Sequence, residues 1–157
     1  MKKLILNNTH ENLGAKMIDF GGFYMPVQYE GIKAEHHAVR NNVGVFDVSH
    51  MGEIFVSGEQ SLDFLQYVTS NDVSKLSVGK VHYSYFPNSE GGIVDDLLVY
   101  QLGKNKYMLV VNASNIEKDY KWLNENNSFK CEITNKSDEY SLLALQGPQS
   151  LDLIRQI

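Results

Sequence analysis

From Glu53 to Ser137 the apolar positions switch between a period of two and a period of three to four. The period of two predicts strands over residues 53–58, 81–88, 92–102, 106–112 and 131–137, and a further one over 140–147. Helices are predicted where apolar residues recur at helical spacing. "YEGIKAEHHAVRNNVG" places Ile32, His36 or Ala34, Val39 and Val43 on one side, with Gly44 as a stop. "GEQSLDFLQYVT" does the same with Leu62, Leu65, Phe64 and Val68. "SNIEKDYKWLNENN" has an Ile116, Tyr120, Leu123 stripe, and Ser114 with Glu117 three residues on predicts a capping box. A last helix is expected after Pro148, on Leu151, Leu153 and Ile154. "NSEGG" and "GKN" sit where hairpin turns are needed.

The order over 53–137 is therefore β-α-β-β-β-α-β. That predicts an α+β architecture, an antiparallel sheet with helices on one face. Residues 53–138 are expected to form one domain, while 1–52 and 139–157 fall outside it and together begin another. The last helix lacks a stop signal, so a chain cut off inside a longer protein is expected. Composition adds exclusions. With 14 basic and 19 acidic residues the net charge is -5 and no long basic run occurs, which argues against nucleic acid or a membrane surface as partner. No apolar run approaches a membrane span, and "MKKLILNN" is too short for a secretory signal, so a cytoplasmic protein is expected. The single cysteine, Cys131, cannot form an internal disulfide and has no nucleophile signature. His36 and His37 are adjacent on a helix and read as a solvated face rather than metal ligands.

One stretch resists this description. "EGGIVDDLLVY" places Asp95 and Asp96 inside a strand of aliphatic and aromatic residues. Successive side chains of a strand point to opposite faces. Asp96 therefore goes with Val94, Leu98 and Tyr100, and Asp95 with Ile93, Leu97 and Val99. Both faces are apolar, so at least one carboxylate enters a space where it needs donors or a proton. In one reading one Asp sits at the strand's open end and the other bonds turn backbone groups after Gly91-Gly92. In the other they serve a site, because Tyr83 and Tyr85 precede them across a hairpin and Asn112 closes the next strand.

The residues also carry a resemblance. "LGAKMIDFGGFYMPVQYEGIKAEHHAVRNNVGVFDVSHMGEIFVSG", "NSEGGIVDDLLVY", "VVNASNIEKDYKWL" and "LALQGP" follow one another as in the glycine cleavage system T proteins, the aminomethyltransferases, with the folate-binding fold of that family. The similarity runs from about Leu13 to Ile157. It implies transfer of the aminomethyl group on the lipoyl arm of H protein to tetrahydrofolate, the cosubstrate, with release of ammonia. On the matching motifs it makes Asp96 the critical acid and Asn112 a ligand of the folate. Tyr83 and Met51 become supporting contacts, Tyr100 and Val110 pocket wall, and Asp95 a structural or turn-bonding residue. His50 falls in a family motif, with a structural role as plausible as a functional one. Family members are more than twice this length, so the resemblance implies half a site, no C-terminal barrel domain, little transferase activity alone, and self-association through exposed apolar surface. The alternatives are a folate-dependent relative in iron–sulfur maturation or RNA modification, a flavin-fused demethylating oxidase, and a non-catalytic oligomerising piece.

Overall fold

A computed structural model describes all residues, 1–157. In chain order the elements are β1 (Lys2–Lys3), α1 (Asn7–Asn12), β2 (Lys16–Phe20), β3 (Phe23–Gln28), α2 (Ile32–Asn41) and β4 (Gly44–Asp47). They continue with β5 (Gly52–Ser57), α3 (Ser61–Val68), β6 (Val81–Pro87), β7 (Ile93–Gly103), β8 (Lys106–Val111), α4 (Ile116–Glu125), β9 (Glu132–Asn135), β10 (Leu143–Gln146) and α5 (Ser150–Ile154). The chain divides into two compact units, one of Met1–His50 with Ser141–Ile157 and one of Met51–Tyr140. No helix is long and apolar enough to cross a membrane.

The Met51–Tyr140 unit is a five-stranded sheet in the order β6-β7-β8-β5-β9, with every neighbouring pair antiparallel. Alternation along the strands decides which face is covered. Leu97 and Val99 of β7, Leu109 and Val111 of β8, and Ile54 and Val56 of β5 point into one buried cluster with Phe64, Leu65 and Val68 of α3 and Leu123 of α4. Each such side chain contributes roughly 1.5–3 kcal/mol when taken out of water. Trp122 and Tyr120 pack against the same cluster, and the Trp122 ring lies 4.9 Å from that of Phe86. Gly52 is where α4 meets β5. A β-carbon there would stand 2.5 Å from Ile116 Cγ1 and 2.9 Å from Val111 Cγ2.

Two local expectations fail. The capping box does not form, because Ala113–Asn115 make a 3₁₀ turn and the residue before α4, Asn115, gives no side-chain cap. Nor do the aspartates bond the β6–β7 turn. Asn88 Oδ1 takes the backbone N–H groups of Glu90 (3.1 Å) and Gly92 (2.7 Å), and the turn is satisfied before the chain reaches Asp95.

In the other unit, β2 and β3 form an antiparallel hairpin with β1 added parallel to β3, and β4 pairs antiparallel with β10. Glu35 explains where α2 begins. Its Oε1 accepts from the backbone N–H of Tyr29 (2.7 Å) and of Gly31 (2.9 Å), donors the first helical turn cannot use internally. No residue of α2 is buried. Its apolar side instead borders an open groove of about 520 Å³ whose walls include Ile32, Val39, Val45 and Phe46. A half-buried polar chain ties the unit together: Tyr29 Oη lies 2.8 Å from His10 Nδ1, and His10 Nε2 lies 2.9 Å from Asp47 Oδ2. Burial would raise the Asp47 pKa, but hydrogen bonds from Ser49 and His10 outweigh it and hold the carboxyl below its ordinary value.

Candidate functional site

The second face of the five-stranded sheet is the one opposite the α3 and α4 cluster, and register decides what stands on it. Tyr85 is opposite Asp96, Tyr83 opposite Leu98, Leu98 opposite Val110, and Val110 opposite Glu53. Tyr100 is opposite Met108, one step further along. Asp96, Leu98, Tyr100, Tyr83, Val110 and Glu53 thus share one face, because directly opposed residues of an antiparallel pair project the same way. Asn112 follows β8 in extended conformation and reaches the same carboxylate. Met51 is half-buried at the bend where β5 begins. Val110 is 2% exposed and forms a floor, whereas Tyr83 stands 60% exposed at the rim.

Asp96 is gripped from two sides. The Tyr83 hydroxyl donates to its Oδ2 at 2.9 Å, and the Asn112 amide donates to its Oδ1 at 2.9 Å. The bond to Asp96, together with desolvation, raises the Tyr83 pKa above that of an ordinary phenol. The Asn112 NH₂ group is shared, since Asp95 Oδ1 accepts from it at 3.1 Å and the Asp96 carbonyl at 3.3 Å. With its nitrogen committed in this way, the amide's Oδ1 remains as an acceptor. A carboxylate and an amide oxygen side by side on an apolar floor recognise a ligand that offers adjacent N–H groups.

Behind the strand lies what the sequence reading missed. Asp95 is 8% exposed on the helix-covered face, and Asp119 of α4, fully buried, faces it. The signal was present. Asp119 falls inside the Ile116, Tyr120, Leu123 stripe, three residues after Ile116 and four before Leu123, where a charge on an exposed helix face would not be placed. Glu53 is a second omission. It is 1% exposed, neither carboxyl oxygen has a hydrogen-bond partner, and burial pushes its pKa up to about 7. In sequence Glu53 is only the first residue of a predicted strand, with nothing beside it to mark a buried acid. His50, in the other unit, has Phe20 and Phe23 edge-on at 5.7 and 6.2 Å, its Nδ1 makes no hydrogen bond, and burial lowers its pKa.

Comparison with known proteins converges on one family. The family described as "GCVT N-terminal domain" matches residues 6–157. The aminomethyltransferase of Flavobacterium psychrophilum is 58% identical over the whole chain, and that of Halothermothrix orenii 52%. The chain spans 44% of the length of each of these relatives. Among solved structures, the glycine cleavage system aminomethyltransferase T from Bartonella henselae superposes with a TM-score of 0.91 at 39% identity, over 99% of this chain and 43% of that one. The α+β fold and the order of its motifs agree with that match, and the chain belongs to the GCVT N-terminal domain family, the aminomethyltransferase T proteins of glycine cleavage.

Proposed function

We propose that the Asp96 face of the Met51–Tyr140 unit holds the reduced pterin of tetrahydrofolate during aminomethyl transfer from the lipoyl arm of H protein. The observation that carries this reading is the paired acceptor, the Asp96 carboxylate beside the Asn112 amide oxygen, fixed by Tyr83 and Asp95. In the reaction the carbon–sulfur and carbon–nitrogen bonds of the S–CH₂–NH₂ group break. Two carbon–nitrogen bonds to the folate form in their place. The two N–H protons displaced from the folate end on the dihydrolipoyl sulfur and on ammonia. Asp96 is the group placed to hold the attacking N–H and to receive its proton, and Asn112 to fix the ring beside it. Positioning of this kind can supply several kcal/mol of a barrier. Met51, Tyr100 and Val110 form the apolar surroundings that exclude water. The cytoplasm, where H protein and reduced folate would both be met, is part of the same proposal.

The side-chain amide of Asn112 is the reporter. In ¹H–¹⁵N spectra of the folded chain, tetrahydrofolate is expected to shift the Asn112 NH₂ pair and the backbone amides of Asp96 and Val110. Folic acid, whose oxidised ring lacks the N5 hydrogen, is expected to shift them far less. Equal shifts with both ligands, or shifts confined to other residues, would contradict the proposed orientation.

A further inference from the structure

Asp95 and Asp119 form a pair of buried carboxyl groups directly behind the site, and simple charge counting does not close there. Three of their four oxygens (Asp95 Oδ2 and both of Asp119) receive no N–H or O–H from the rest of the protein. The nearest cation, Lys118 Nζ, is 3.9 Å from Asp119 Oδ1 and already donates to the Val94 carbonyl at 2.6 Å. Lys118 and Asp96 are the other charged groups acting on Asp119. On the β6 side, the residue opposite Asp95 is the apolar Phe86. Two adjacent anions with so few donors in such a space are far costlier than one anion and one acid, so the pair retains a proton.

The distribution of that proton follows from the surroundings. Burial, then the hydrogen bond and charge of Asp95, push the Asp119 pKa up to about 8. For Asp95 burial acts upward too, but hydrogen bonds from Asp119, Asn115 and Asn112 outweigh it and leave the group below its ordinary value. Asp119 is therefore the acid and Asp95 the anion.

We propose that Asp119 is a positioning residue for the ligand face, its carboxylic O–H donating to Asp95 so that Asp95 holds the Asn112 amide with its nitrogen toward Asp96 and its oxygen free for a ligand N–H. The proposal deepens the folate reading and rests on it only for the identity of the ligand. When the proton leaves Asp119, Asp95 loses that donor and faces a second anion, and Asn112 loses the fixed orientation that makes it half of the paired acceptor. Asp119→Asn keeps a donor toward Asp95 that cannot be lost by titration.

The test begins without ligand. The Asn112 side-chain ¹⁵N signal of the unmodified chain is followed from pH 6 to pH 10, and a transition centred near 8 is expected. A flat signal overturns the proposal without any variant being needed. In Asp119→Asn the transition should vanish, and its persistence would assign the proton elsewhere and equally overturn the proposal. Tetrahydrofolate affinity is then measured at pH 7 and pH 9. The unmodified chain should weaken by about tenfold and Asp119→Asn by less than about threefold. A purely structural Asp119 would change thermal stability but leave both pH profiles alike, which would also overturn the proposal. Should the ligand-free transition occur while tetrahydrofolate binds at neither pH, the folate reading fails and the positioning of Asn112 stands.

Discussion

Gly147→Ala is expected to cost the unit that contains it roughly 3 kcal/mol or more. Gly147 has φ +121°, a conformation L-residues rarely adopt. An added β-carbon would lie 2.4 Å from the carbonyl oxygen of Asn42, 2.7 Å from that of Val39 and 2.9 Å from Val43 Cα. All three are backbone atoms at the end of α2, so no side chain can swing aside. The same crossing carries the hydrogen bond from Gln149 N–H to the Asn42 carbonyl at 3.0 Å, which satisfies a helix-terminal acceptor. Domains hold a net stability of only about 5–15 kcal/mol. For a unit of that size, residues 1–50 with 141–157, the melting temperature should therefore fall by roughly 12–24 °C. A change within about 1 °C would mean that the α2 end yields without cost.

Asn112→Leu should be almost as damaging at pH 7 and much less so in acid. Leucine fills similar space but leaves Asp95 and Asp96 without the amide that bridges them. Hydrogen bonds to charged groups are each worth about 1.5–3 kcal/mol, and stranding a buried anion costs the larger figure. A loss of roughly 2–4 kcal/mol is expected at neutral pH. The direction of the pH effect follows from Asp95, whose folded pKa is depressed partly by Asn112. Such a group contributes its stabilisation above its unfolded value, near ~3.9, and loses it as pH falls through the folded value. Unfolding curves of Asn112→Leu and the unmodified chain should thus draw together as the pH falls below the ordinary carboxylate range and meet once it passes the depressed folded value of Asp95. A pH-independent gap would show that packing, not charge, accounts for the loss.

Much of the Met51–Tyr140 sheet could be read in advance because its strands alternate cleanly and its turns carry their own chemistry. Asn88 before Gly91-Gly92 is one case, and Asn105 at φ +55° in the β7–β8 turn is another. The first fifty residues were harder. The β2–β3 hairpin turns on Gly21 and Gly22, at φ +59° and +87°, a two-residue signature that was available in "DFGGFY" but is flanked by short and half-exposed strands. The helix α2 was visible from its spacing, yet its apolar side is not buried within the chain. At the site, opposed residues on neighbouring strands brought Tyr83, Asp96, Leu98 and Val110 together, and pairing register was the one step that periodicity alone could not supply. The proton behind Asn112 was illegible for a different reason. A lone Asp on an amphipathic helix becomes informative only when a second carboxyl is found against it in three dimensions.

The central claim is that Asp96 and its partners form the contact surface for reduced folate, and calorimetric titration of tetrahydrofolate into the unmodified chain and into Asp96→Asn tests it most directly. Asn is nearly isosteric with Asp, but it lacks the charge and carries one oxygen fewer to accept the Tyr83 O–H, the Asn112 N–H and a ligand N–H. Measurable binding by the unmodified chain, weakened by about tenfold or more in the variant while circular dichroism stays the same, is the predicted result. Equal affinity in the two proteins would contradict the account and place any folate contact away from the Asp96 face.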